Sequence, residues 1–499
     1  MALVSFEGGT GGRFVFAIAL AALAAAGCQG DRGRGAPGGA GLHSPSFSTC
    51  HLVTRGLAEA LEADCTTIRV PEDRSAPEKG SVELHVAILR AAGRDRAPDP
   101  VIFIAGGPGE AATEAYPILS GSFVVVNSAR DIVLVDQRGT GGSHPLDCPE
   151  LTTDPASSDE TDAEARVAAC RARLAGDLAH YTTDDAVSDL EDVRAALGYP
   201  RVNLYGASYG TRVALAYARR APDRVRSLVL DGVVPPGWTL ARTAGADLKR
   251  SLSLVFERCA ANAECRRAFP DVEGRLAALA ARLETPREVT VPHPTSAAPT
   301  RVVLTRDRLA STLRGLAAAH ESASLLPLLV HAAATTGDLA PLAAQTLLLG
   351  ETAHIAGGMH LAVACAEDAP FLDAEPAAVP PLLDTASARF YRAACRGWPV
   401  RPLPPGARDP FVSNVPALLL SGEIDPLTPP ENAAQAAKML PRSLAITVPG
   451  EGHVVLPRGC VRRLMTEFIT NGSADGIDAA CAREERSMGF FTSFAGPAP

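Results

Sequence analysis

Three side chains far apart in the chain could together do nucleophilic chemistry: Ser208, Asp425 and His453. A serine hydroxyl is a weak nucleophile at neutral pH. It needs a base within hydrogen-bond reach, and the base needs a carboxylate to fix its tautomer. Ser208 lies in Gly206-Ala207-Ser208-Tyr209-Gly210, between the β-prone run Val202 to Tyr205 and the helical spacing of Thr211 to Ala218. A G-x-S-x-G segment between strand and helix predicts a sharp turn that exposes the hydroxyl above a sheet. The new helix aims its N-terminus at the serine, which favours developing negative charge there. Asp425 follows the apolar run Ala417 to Leu420, and His453 follows Ser443 to Val448 within Gly450-Glu451-Gly452-His453. Asp231, which ends the run Val225 to Leu230, is the rival acid. The acid must reach the histidine from the side away from the nucleophile, which favours Asp425.

A fourth strand end supplies amide groups. Val101-Ile102-Phe103-Ile104 runs into Ala105-Gly106-Gly107-Pro108-Gly109. Backbone N–H groups aimed at a tetrahedral oxyanion stabilise it, and glycine lets the substrate approach closely. The expected pair is the N–H of Gly107 and of Tyr209. In a parallel sheet all such strand ends share one edge, where sites form. Short apolar runs alternating with helical spacing predict such a sheet, covered by helices on both faces. Thr66 to Val70 and Val82 to Leu89 are two further strands. The alternation in the second predicts an edge strand with one wet face.

Between about 237 and 410 the pattern turns helical, as at Leu276 to Leu283 and Leu309 to Ala319, with short β-prone runs only at Val289 to Val291 and Val302 to Leu304. This predicts an inserted, mostly helical cap. The expected organisation is a leader over 1–28, a Gly-, Pro- and Ser-rich tether over 29–46, core segments over 47–236 and 411–499, and the insert over 237–410.

Several motifs taken together resemble the prolyl aminopeptidase family of α/β-hydrolases, and within it the exported tripeptidyl-aminopeptidase-like branch. They are Gly-Gly-Pro-Gly, Asp136-Gln137-Arg138-Gly139-Thr140-Gly141, the elbow around Ser208, and the late Asp425 and His453. The resemblance runs from about residue 50 to the C-terminus and is weakest in the insert. It implies an α/β-hydrolase core, a helical cap and cleavage from a peptide's N-terminus, with peptide as the partner and no cofactor. The histidine usual before Gly-Gly-Pro-Gly is Ala105 here. An aminopeptidase must recognise a cationic α-amine, which calls for a carboxylate near the nucleophile. Glu367 and Asp368, beside Cys365, are the candidates in the insert, and Glu110 is the other. A carboxylesterase could use the same triad, and a binding protein could use the same fold.

The net charge of −9 offers no basic excess for nucleic acid. Arg13 followed by the apolar run Phe14 to Ala26 reads as an export signal too short to span a bilayer comfortably. Ala25-Ala26-Gly27-Cys28 resembles a bacterial lipobox, with Ala25 where leucine is usual; the alternative is a plain secretory signal. Localisation outside the bacterial cytoplasm follows from either, and membrane contact only through a lipid on Cys28. The other ten cysteines form sequential neighbours: Cys50 and Cys65, Cys148 and Cys170, Cys259 and Cys265, Cys365 and Cys395, Cys460 and Cys481. An even set in an exported chain reads as disulfides, and no spacing suggests a metal site. If Cys28 carries lipid, Cys28→Ser moves the protein from the membrane fraction to the soluble one. Unchanged fractionation favours the plain signal.

Overall fold

A computed structural model describes residues 45–54, 60–152, 160–350, 354–373, 386–484 and 489–495. The leader, Cys28 and most of the tether lie outside the described residues. Eleven strands are described: β1 Ser48–Leu52, β2 Leu61–Pro71, β3 Ser81–Leu89, β4 Val101–Ile104, β5 Ile132–Val135, β6 Val202–Ala207, β7 Val225–Asp231, β8 Arg287–Pro292, β9 Pro299–Leu304, β10 Ala417–Gly422 and β11 Ser443–Val448. Nine of them form one sheet in the order β1-β2-β3-β5-β4-β6-β7-β10-β11, and β8 pairs with β9 in a separate hairpin. From β5 to β11 across the sheet every pairing is parallel, whereas β1, β2 and β3 are antiparallel additions.

The central strands are apolar on both sides because both faces are covered. Ile102, Ile104, Val133, Val135 and Leu204 share one cluster with the helices Thr183–Ala196, Tyr209–Arg220 and Gly357–Glu367. Their alternate neighbours Val101, Phe103, Ile132, Leu134 and Tyr205 share another with the helices Ala112–Leu119 and Val461–Asn471. Strand periodicity of two thus distributes one sequence between two cores.

β3 corrects one expectation. It keeps one wetter face, but it lies between β2 and β5 and not at the edge. Its alternation reports which face packs, and alternation says nothing about whether a further strand pairs alongside. Leu61–Pro71 pairs along nearly its whole length with β3.

The segment between β7 and β10 does not pack as one body. Residues such as Leu248, Val255, Leu276, Leu309 and Leu329 build a cluster of their own. Met359, Leu361, Val363 and Trp398 instead join the core beneath the sheet. Disulfides join Cys50–Cys65, Cys148–Cys170, Cys259–Cys265, Cys365–Cys395 and Cys460–Cys481. No described helix is long and apolar enough to cross a membrane.

Arg138, from the loop after β5, is fully buried. Its guanidinium donates to both Asp189 oxygens, at 2.7 and 2.6 Å, and to the carbonyls of Pro71, Glu72 and His180. One side chain therefore ties the end of β2 and the helix Thr183–Ala196 to the edge of the sheet that bears the loops. Removing Arg138 leaves the buried Asp189 with Arg74 alone, at 2.6 Å, and takes the donor from three carbonyls. Arg138→Met should lower the unfolding free energy by about 3–5 kcal/mol, measured by urea denaturation.

Candidate active site

Ser208 begins where β6 ends, at φ 53° and ψ −121°. That conformation costs a non-glycine residue on the order of 1–3 kcal/mol and persists only where its surroundings impose it. Several bonds impose it here. The Ser208 N–H donates to the Asp231 carbonyl at 2.8 Å. The Thr211 hydroxyl donates to the Ser208 carbonyl at 2.6 Å and accepts from the Val234 N–H at 2.8 Å. The flanking glycines answer to close approach. A Cβ on Gly206 would meet the Gly210 carbonyl at 2.5 Å, and one on Gly210 would run into the Ile104 carbonyl.

His453 Nδ1 lies 2.8 Å from Asp425 Oδ2. The Asp425 carboxylate also accepts from Leu427 N–H at 2.7 Å, Thr428 N–H at 3.0 Å and the Thr428 hydroxyl at 2.7 Å. Burial pushes the Asp425 carboxyl up, but His453 and these donors outweigh it and hold it below the usual carboxylate range. His453 shows the converse. Burial pulls the imidazolium down, and Asp425, with Asp231 and Glu110 behind it, more than offsets that and raises its pKa. The ring rests against Gly232, where an added Cβ would stand 2.8 Å from Cε1. Serine and imidazole therefore both seat on the exit of β7.

Asp231 makes a different set of bonds. Its carboxylate accepts from Val455 and Leu456 N–H, each at 2.9 Å, and from the Tyr205 hydroxyl at 3.0 Å. It anchors the loop just past His453 and lies in full burial, which pushes its carboxyl up to about 6.

Gly107 (φ 102°) and Gly109 (φ 109°) bend the loop after β4 in the left-handed region, where glycine is at home. Among the described residues neither the Gly107 nor the Tyr209 N–H has an acceptor within the protein. A histidine that the motifs do not mark braces this loop, from the helix that also bears Glu367. His360 Nδ1 donates to the Pro108 carbonyl at 3.0 Å, and its Nε2 accepts from the Tyr391 hydroxyl at 2.7 Å. Burial lowers the His360 pKa and so favours the neutral ring this arrangement needs. Ala105 leaves the loop without the usual adjacent histidine; this imidazole reaches it from 252 residues away. Met359 and His360 carry no motif of their own, so only the fold could reveal the contact.

The three carboxylates expected near an amine part company. A Cβ built on Gly106 would stand 3.1 Å from Glu110 Oε2 and 3.2 Å from Ser208 Cβ, so Glu110 and the serine border one small volume. Burial raises the Glu110 carboxyl, against the Gly106 N–H bond and the nearby imidazole. Glu367 and Asp368 are engaged elsewhere. Glu367 accepts from the Thr183 N–H and hydroxyl at 2.7 and 2.8 Å, and Arg212 bridges both acids. Arg408 lies beside Asp368 at 3.8 Å. Glu367 also lines a cavity of about 540 Å³ with Trp238 and Phe411, whose walls include neither Ser208 nor His453. Arg212 sits one turn into the elbow helix, so the acidic pair is drawn to that helix's flank.

Such a site can attack a carbonyl through the serine, move its proton to the imidazole and offer two amides to the oxygen. The profile of the alpha/beta hydrolase fold matches residues 99–459. Serine protease Hip1 of Mycobacterium tuberculosis is 26% identical over 466 residues, covering 84% of this chain and 87% of its own. A tripeptidyl aminopeptidase of Streptomyces coelicolor is 33% identical over 191 residues, 34% of this chain and 35% of its own. A proline iminopeptidase of Neisseria gonorrhoeae is 36% identical over 134 residues, 27% and 32% respectively. Ser208→Ala and Asp425→Asn should each cost on the order of 10⁴-fold in kcat. Asp231→Asn, which leaves the Asp425–His453 bond in place, should cost less than about 10-fold, a small loss beside the triad values. Steady-state kinetics of the three variants check this, and the reverse ranking of Asp425 and Asp231 would exchange their roles.

Proposed function

This chain belongs to the alpha/beta hydrolase family, and we propose that it is an exported serine peptidase that cuts peptides from a free N-terminus through an acyl-enzyme on Ser208. On this reading residues 1–28 are the leader, 29–46 a tether, 47–236 and 411–499 the hydrolase core and 237–410 the insert. The names of the relatives support peptide as the substrate class.

In the first half-reaction Ser208 Oγ attacks the scissile carbonyl as its proton passes to His453 Nε2. Asp425 stabilises the imidazolium through Nδ1–H. The Gly107 and Tyr209 amides hold the oxyanion. The imidazolium then protonates the departing amine, which leaves as the shortened peptide. In the second half a water gives its proton to His453 and attacks the acyl-enzyme, and Ser208 regains its proton as the N-terminal fragment departs.

The observation that carries the aminopeptidase reading is Glu110 beside Ser208. An anionic carboxylate at the mouth of an oxyanion hole opposes the charge that develops there. A substrate ammonium neutralises it, and the same ion pair orients the scissile bond. Each extended residue adds about 3.3–3.6 Å, so a carboxylate this close to the serine suits an amine one or two residues from the scissile carbonyl. Glu367 and Asp368, already paired with Arg212, have no such vacancy to offer.

The test compares free and N-acetylated chromogenic amides with acyl groups of one, two and three residues. Wild type should prefer the free amine by at least about 10-fold, the preference should be largest for the shorter groups, and Glu110→Gln should narrow it. Glu110→Gln also removes an anion facing His453, leaving Asp425 and Asp231. The imidazolium is then less favoured, so the acidic limb of kcat/KM moves to lower pH. Equal rates on free and acetylated substrates, with ester turnover retained, would replace the peptidase with a carboxylesterase. Failure of a fluorophosphonate probe to label Ser208 would favour a binding protein.

A further inference from the structure

The loops that bear the acid and the base are held from outside the sheet. Arg250 and Ser251 lie on the helix Ala244–Ala261, between β7 and β10. The Arg250 guanidinium donates to the Glu423 carbonyl at 2.7 Å and the Asp425 carbonyl at 2.6 Å. The Ser251 hydroxyl, fully buried, donates to the Ile424 carbonyl between them. Three consecutive carbonyls of the acid loop are thus taken by two adjacent side chains of one helix.

The base loop is gripped by a second helix of the same segment. Arg306–Ala317 ends at Ala318, whose carbonyl accepts the His453 N–H at 2.7 Å. His320 Nδ1 donates to the Gly450 carbonyl at 3.1 Å. A Cβ on Gly452 would run into the Ala318 carbonyl, and one on Gly422 would run into the Gly452 carbonyl. Helix end, base loop and the end of β10 are therefore stacked without room for a methyl group. The Glu423 carboxylate closes the circuit, pairing with Arg258 from the first helix and accepting the Gly450 N–H at 2.8 Å.

Resting on the reading of Ser208, Asp425 and His453 as the catalytic set, we propose that the inserted helices align the relay, with Arg250 as the positioning residue for the acid. The relay is competent while those helices are seated, and displacing them disarms it. The serine is fixed without those helices, by β7 and the elbow helix, since the Ser208 bonds run to Asp231 and Thr211. The acid–base half has a second owner. Misplacement of a catalytic group by about 1 Å can cost on the order of 10²-fold, so a lost anchor shows in turnover before it shows in binding.

The experiment uses the full chain and a chromogenic peptide amide, with fluorophosphonate labelling of Ser208 as a second readout. Arg250→Met should lower kcat by about 10²-fold with KM changed less than about 3-fold. It should also move the acidic limb of kcat/KM to lower pH, as Asp425 loses its grip on the imidazole. Arg250→Lys, which keeps the charge and can serve one carbonyl at a time, should recover part of both losses. Gly452→Ala, which presses on Ala318 without touching Arg250, should reproduce the loss in kcat, and it decides the matter if Arg250→Met does not fold. Wild-type kcat and an unmoved pH limb in either folded variant overturn the proposal while the labelled serine stands. An unlabelled wild type overturns both readings together.

Discussion

A single backbone conformation sets the terms for this molecule: the left-handed turn at Ser208, in a residue with a side chain. Its strain is met by the next strand through Asp231, by the first helical turn through Thr211, and by the exit of β4, against which Gly210 is packed. Each of those neighbours then carries one group of the proposed site. β7 seats the imidazole, the loop after β4 carries the Gly107 amide and the helix presents that of Tyr209. The parallel sheet makes the arrangement feasible, because strands of one direction bring every such loop to one edge.

Three carboxylates face the same imidazole, and what separates them is partners. Asp425 touches the ring nitrogen and is kept ionised by three protein donors. Asp231 is spent on two backbone amides and a phenol, and burial raises its carboxyl in spite of them. Glu110 has one amide bond and a share of the cleft. Contact sets Asp425 apart, since among the described residues it is the one carboxylate paired with a ring nitrogen of His453, at 2.8 Å. Bonds already made separate the other two, because a carboxylate with its lone pairs engaged has little left to give a substrate.

The elbow was legible because strand, small residues and helix are contiguous, and Asp425 and His453 because each follows an apolar run closely. The cysteine neighbours could be read because each loop is short. Other features depend on residues brought together only by folding. Glu367 and Asp368 are acidic beside a cysteine, which fits many roles; Arg212, more than 150 positions earlier, decides theirs. His360 and Arg250 sit in unremarkable helices, and their meaning comes from carbonyls at Pro108, Glu423 and Asp425. β3 kept its alternation and lost its edge, because pairing partners are chosen by the whole sheet.

The disulfides carry a consequence for how such a chain could be assembled. Their intervals of 15, 22, 6, 30 and 21 residues follow one another without nesting or crossing. A polypeptide threaded N-terminus first through a pore would present each cysteine with its own partner next in line. With Cys28 set aside, pairing every newly arrived thiol with the last one still unpaired yields these five bonds with none to undo. The order in which the protein leaves a narrow passage would then itself be an instruction for oxidation, and the finished molecule would bear no trace of a proofreading step.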